Sequence, residues 1–213
     1  ETPLDALGIM ASQQAILGPN LRQVEMYTRR GLMSLLWHEP DDVAQKVGVV
    51  MVGGAMGGTL GPGDSLFHAL GEALVEVGVP SIRLSYRKPN DMDSCCVDTA
   101  AAVQLLVGSG ADAVVIMGHS FGGAVAIRVA VGLSEMVCGV VTFATQSAGC
   151  EIAGGLQSTP LLMFHGDSDS ILPLEASEVV RAIAGTGDLH VMHGDDHLLV
   201  KSHDVMFSTT MEW

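Results

Sequence analysis

Residues 114–127 read Val114-Val115-Ile116-Met117-Gly118-His119-Ser120-Phe121-Gly122-Gly123-Ala124-Val125-Ala126-Ile127. An apolar run enters Gly-x-Ser-x-Gly and leaves through small helix formers. That order puts one serine on a sharp turn between a buried strand and a helix, its hydroxyl projecting where it can act as a nucleophile. Gly118 and Gly122 permit the turn, and Gly123 and Ala124 let the helix lie close to the sheet. In a chain with 26 glycines the five-residue pattern proves little alone, and a serine capping a helix would give the same local sequence. Its surroundings decide.

Outward from this stretch, short apolar runs alternate with helical spacing. Residues 47–52, 81–85, 113–117, 139–143, 161–164 and 189–192 read as strands, and 66–77, 97–107 and 198–205 as helices. Strands apolar on both faces and separated by helices predict an α/β fold, a mostly parallel twisted sheet with helices on both faces. Ahead of it, residues 21–28 and 32–37 read as an N-terminal antiparallel hairpin turned through Arg29-Arg30-Gly31, after a leader over residues 1–20 with no assigned element. No repeat or charge block divides the 213 residues, so one domain is expected over 1–213. The one long, weakly patterned connection, 144–159, is too short for a separate cap and predicts an open, shallow site.

Composition narrows the partners. A formal charge of −14, from 24 acidic and 10 basic side chains, opposes binding to nucleic acid or an anionic membrane surface and reads as ordinary solubility. No apolar run approaches the roughly 20 residues of a membrane span. Cys95 and Cys96 are adjacent while Cys138 and Cys150 stand far off, without a CxxC pair, so reduced thiols and a cytoplasmic location are expected. The opening Glu1-Thr2-Pro3-Leu4-Asp5 lacks the basic and apolar regions of a secretory signal, although a chain that does not begin with Met leaves room for a removed leader.

In an open parallel sheet, functional groups collect beyond the carboxyl ends of the strands. The run 161–164 exits through His165-Gly166-Asp167-Ser168-Asp169, offering Asp167 or Asp169 as the carboxylate that orients a base, the other being a turn former. The run 189–192 exits through His193-Gly194-Asp195-Asp196-His197, where an imidazole can accept the proton of Ser120. The run 47–52 exits through Gly53-Gly54-Ala55-Met56-Gly57-Gly58, whose backbone N–H groups can approach a substrate oxygen. A nucleotide loop is the rival there; it fails because Ala55 and Met56 break Gly-x-Gly-x-x-Gly and no Gly-Lys-Ser/Thr follows.

With these residues in the order Ser, Asp, His, the chain resembles the α/β-hydrolase family from about Leu32 to Phe207, in a minimal form without a cap domain. The resemblance implies a nucleophile elbow Gly118-His119-Ser120-Phe121-Gly122, with the Phe121 amide in the oxyanion hole and Ala55 or Met56 as second donor. The family's His-Gly-x-x-Asp-x-x-Val-Pro matches His165 to Pro173 with Leu172 in place of Val, which selects Asp169. The family's terminal histidine matches His197 better than His193. Gly53-Gly54 departs from the His-Gly that opens this loop in many relatives. Serine as nucleophile separates the chain from the aspartate-using dehalogenase and epoxide hydrolase branches and from cysteine-using dienelactone hydrolases.

The expected function is therefore a serine esterase or thioesterase cleaving small to medium acyl groups through an acyl-enzyme on Ser120, without cofactor or metal, its partner a small-molecule ester or thioester. Phe121, Met56 and the 144–159 segment are expected to line the acyl pocket. A peptidase or acyltransferase would use the same triad, and a non-catalytic binding protein could share the fold. A metal site from His165, Asp167, Asp169, His193, Asp195 and Asp196 is the remaining alternative, though turn formation and triad membership already account for these residues.

Overall fold

The computed structural model describes residues 2–43, 46–157 and 159–213. Glu1 and Ser158, which belong to the leader and to the 144–159 connection, lie outside the described residues. Among the described residues, nine strands form one mixed sheet. They are β1 (Ile9–Gly18), β2 (Leu21–Thr28), β3 (Gly31–His38), β4 (Val47–Val52), β5 (Ser81–Ser85), β6 (Ala113–His119), β7 (Val137–Phe143), β8 (Leu161–Gly166) and β9 (Asp188–Met192). Their order across the sheet is β1-β2-β3-β5-β4-β6-β7-β8-β9. The first three run antiparallel and β3 pairs antiparallel with β5, while all pairings from β5 to β9 are parallel.

The apolar runs at the centre divide their side chains between two cores by strand alternation. Val50 and Val52 of β4, with Val114 and Ile116 of β6, face one layer; Val49, Met51 and Met117 face the other. The first layer is closed by α1 (Pro3–Leu7), α3 (Met92–Gly108), α4 (Phe121–Gly132) and α5 (Glu175–Ala184), and the second by α2 (Pro62–Glu76) and α6 (His203–Glu212). Helix α4 buries Ala124, Val125, Ala126, Ile127, Val129 and Ala130. Side chains this small bring its axis, and the serine at its start, close to the sheet.

Helix α2 is regular only from Leu66, because Gly63, Asp64 and Ser65 all have positive φ; this is the start that the 66–77 periodicity predicts. Helix α3 begins five residues ahead of the expected 97, because the Asp91 side chain caps it by accepting the Ser94 N–H at 3.0 Å.

Two expectations need correction. The hairpin does form, with Thr28 paired to Gly31, but it does not open the sheet: the leader carries α1 and the ten-residue strand β1. Every residue from Ile9 to Leu17 is exposed, so no buried face imposed the alternation by which strands are recognised. The closing helix does not span 198–205. Asp196 accepts the Leu198 N–H at 2.9 Å and Leu199 takes φ 56°, so the chain makes a tight turn over Val200–Ser202 before α6 starts at His203.

Candidate active site

Ser120 stands between β6 and α4 with φ 57° and ψ −120°, a conformation sterically costly for a side chain and tolerated where neighbours over-determine it. Its N–H donates to the Phe143 carbonyl at 2.8 Å, and its own carbonyl accepts the Gly123 N–H at 3.0 Å. The flanking glycines are steric necessities: a Cβ on Gly118 would meet the Gly122 carbonyl, one on Gly122 the Gly53 carbonyl, and one on Gly123 the Thr145 hydroxyl. The turn that exposes Ser120 Oγ is thus fixed by close packing of its backbone on neighbouring backbone and on Thr145.

His197 follows β9 and reaches this hydroxyl, its Nε2 3.0 Å from Ser120 Oγ. On the other side of the ring, Nδ1 is 2.7 Å from Asp169 Oδ2. An ionised carboxylate only accepts, so Nδ1 carries the proton and donates it to Asp169, and the free Nε2 lone pair faces the serine O–H. Asp169 is itself held: Oδ1 accepts the N–H groups of Ile171 at 2.8 Å and Leu172 at 2.9 Å. Burial works to raise its pKa, but the Leu172 N–H, the His197 ring and the Ile171 N–H outweigh it and keep the carboxyl below its ordinary value. It is therefore charged beside the His197 ring.

The glycine loop after β4 lies against this centre, since a Cβ on Gly54 would sit 3.4 Å from Ser120 Cβ. Gly57 N–H donates to the Gly54 carbonyl at 2.9 Å, closing a turn with Ala55 and Met56 at its tip. Phe121 is the first residue of α4, so its N–H has no acceptor within the helix and stays open to a ligand. The side chains behave otherwise than expected. Phe121 is 4% exposed and packed in the core beneath α4, and Met56 is 95% exposed, so neither forms the wall of a covered pocket. Aromatic bulk at the elbow is drawn into the apolar layer under the helix, and the loop tip has nothing above it to pack on. Hollows of about 510 and 420 Å³ lie elsewhere, one between the β1–β2 turn and α2, the other between the C-terminal Trp213 and the amino ends of β4 and β7.

The six residues of the metal alternative separate into distinct arrangements. Asp167 pairs with His193, Nδ1 to Oδ2 at 2.9 Å, on the surface. Asp195 accepts from the Ser202 hydroxyl at 2.7 Å. His165 is fully buried behind Asp169. Its Nε2–H donates to the Leu172 carbonyl at 2.9 Å and lies 3.3 Å from Asp169 Oδ2, while its Nδ1 accepts from the Ser177 hydroxyl at 2.6 Å. Among the described residues no group of three or more His, Cys, Asp and Glu is placed to hold a metal.

One positioning residue was not singled out from sequence. His119, beside the serine, donates from Nε2 to the His197 carbonyl at 3.0 Å, tying the elbow to the loop that carries His197. Its burial pushes its pKa down to about 4, so it stays neutral near pH 7. The partner is a main-chain carbonyl, which has no signature in sequence.

A parallel sheet with antiparallel strands at one edge, helices on both faces and a serine elbow at a strand exit defines an α/β hydrolase. Residues 99–207, which include Ser120, Asp169 and His197, match the phospholipase/carboxylesterase family model over half of the chain, and the protein belongs to that family. No curated protein sequence matches it. Among solved structures it is similar to Est1E from Butyrivibrio proteoclasticus, at 15% identity and a TM-score of 0.75 over 89% of this chain and 96% of that one. It is similar also to a dienelactone hydrolase from Anabaena variabilis, at 15% identity and a TM-score of 0.77 over 92% and 97%. An α/β serine hydrolase without lid from Xanthomonas campestris gives 16% identity and a TM-score of 0.73 over 93% and 95%. At these identities the likeness is one of fold.

Proposed function

We propose that the protein hydrolyses carboxylic esters or thioesters of small to medium acyl groups through an acyl-enzyme on Ser120. The observation that carries this reading is the unbroken line Ser120 Oγ, His197, Asp169, with links of 3.0 and 2.7 Å. Ser120 Oγ attacks the acyl carbon as His197 Nε2 takes its proton. The carbonyl oxygen becomes an oxyanion received by the N–H of Phe121 and that of Ala55 or Met56. His197 then protonates the departing alcohol or thiol, and a water activated by the same ring hydrolyses the acyl-serine. Asp169 fixes the tautomer and stabilises the imidazolium in both halves.

A single domain without a cap would present this centre to solvent. The described part of segment 144–159 buries Ala153 and Leu156 against the core, which suits a segment too short to form a cap. Cys95, Cys96, Cys138 and Cys150 are all free thiols, which suits a reducing compartment such as the cytoplasm.

Hydrolysis of p-nitrophenyl esters of increasing acyl length tests the proposal. Short chains should be cleaved, with and without chelator, and Ser120→Ala should lower kcat by about 10⁴ to 10⁶-fold. Unchanged activity in Ser120→Ala overturns it.

A further inference from the structure

Strand β1 differs from every other strand of the sheet. Among the described residues it pairs only with β2, as the opposite edge strand β9 pairs only with β8, but in β1 alone is each residue, from Ile9 to Leu17, exposed. Its outer edge therefore offers a row of backbone donors and acceptors open to another chain. Natural edges are usually blunted by charge or proline. Here the segment Ile9-Met10-Ala11-Ser12-Gln13-Gln14-Ala15-Ile16-Leu17-Gly18 contains neither, in a chain of formal charge −14. Four large apolar side chains, Ile9, Met10, Ile16 and Leu17, are 41 to 76% exposed at its two ends.

The sequence of this edge is also complementary to itself. When two copies run antiparallel about a dyad through Gln13, Gln13 meets Gln13 of the second copy, Ser12 meets Gln14, Ala11 meets Ala15, Met10 meets Ile16 and Ile9 meets Leu17. Polar residues fall opposite polar, small opposite small, and large apolar opposite large apolar, on both sides of the dyad. The central part, Ala11 to Ile16, is regularly paired to β2, with irregularities only at its two ends. We propose that β1 is an isologous dimer edge, through which a second copy of this chain continues the sheet across a two-fold axis. No charged side chain of β1 stands in the dyad contact, and the exposed apolar ends are covered reciprocally. The edge lies five strand steps from β6, about 24 Å at roughly 4.8 Å per strand, so pairing there leaves the serine free.

Sedimentation equilibrium across a concentration series should give twice the 22.2 kDa chain mass. Gln13→Lys sets two like charges face to face at the dyad, yet within each copy the new lysine lies opposite Glu25 of β2, so the monomer fold is kept. The variant should weaken dimerisation by about tenfold or more, with ester hydrolysis unchanged and, at dilutions where both chains are monomeric, the same thermal midpoint. In a Cys138→Ser background, Gln13→Cys should oxidise to a covalent dimer, because directly opposed Cβ atoms lie about 5 Å apart. Ile9→Cys should not, its two copies being separated by some eight residues of each strand, roughly 27 Å. A parent chain that stays monomeric up to about 1 mM overturns the proposal. So does a dimer that is indifferent to Gln13→Lys and is not locked by Gln13→Cys.

Discussion

The loops that follow β8 and β9 carry two histidine–aspartate pairs of nearly the same geometry, and only one meets the serine. His197 and Asp169 join Nδ1 to Oδ2 at 2.7 Å; His193 and Asp167 join the same atoms at 2.9 Å. The side chains of the first pair are 10% and 0% exposed, those of the second 86% and 36%. Asp169 is further gripped by two backbone N–H groups and backed by the buried His165. A histidine–aspartate contact thus does not by itself mark a candidate base. What separates the two is that the inner pair is shielded, has its tautomer fixed from behind and has a hydroxyl in front.

The comparison breaks most sharply when the inner pair is removed. His197→Ala should lower kcat/KM on a short p-nitrophenyl ester by about 10⁴ to 10⁶-fold, close to Ser120→Ala, because the two act as a unit. Asp169→Asn should cost about 10³ to 10⁴-fold with little change in KM. Its amide can donate to Nδ1, which leaves the ring proton on Nε2, facing the serine, where it cannot accept. Parent-like rates in either variant would detach the hydrogen-bonded line from the chemistry.

Burial also sets the acid limit of the fold. His119 and His38 are both pushed down to about 4 by burial, from an ordinary value of about 6.5; at His38 the nearby Arg83 and His68 add to the effect. Between those values the unfolded chain binds protons that the native chain refuses, so stability falls as pH drops from about 6.5 to about 4 and levels off below. Each histidine should contribute on the order of 3 kcal/mol to that loss across the whole window. Urea midpoints at pH 7, 5.5 and 4.5 would measure it, and His119→Gln, which keeps a donor for the His197 carbonyl but does not titrate, should flatten the slope. A slope the same in parent and variant would remove His119 from the account.

The centre of the fold was legible because strands buried on both faces are apolar throughout, as Val47–Val52 and Ala113–His119 show. The meeting of Ser120, Asp169 and His197 was legible for a related reason. Each stands at the carboxyl end of a recognisable strand, and a parallel sheet brings those ends to one edge. What escaped lacked a periodic or side-chain signature. Strand β1 is exposed on both faces, so no core imposed a pattern on it. The left-handed Leu199 shortened the closing helix through hydrogen bonds of Asp196 that no propensity encodes. His119 acts on a main-chain carbonyl.

The outer pair supplies the smallest effect and the strictest control. Asp167 is held below its ordinary carboxylate value by the His193 ring and the Gly194 N–H, yet both groups stand in water, where an ion pair contributes little and salt screens it. His193→Ala and Asp167→Asn should therefore each leave kcat/KM within about threefold of the parent. Any residual effect should shrink as ionic strength rises, measured in the same ester assay from low to high salt. The Gly194 N–H bond gives Asp167 one structural duty, holding the turn that precedes His197, at 2.7 Å. Asp167→Asn keeps an acceptor for that amide and Asp167→Ala does not, so the alanine variant should be the slower of the two. Equal rates would show that the turn is held without Asp167. A loss from His193→Ala as deep as that from His197→Ala would instead make the exposed ring the base and reverse the assignment.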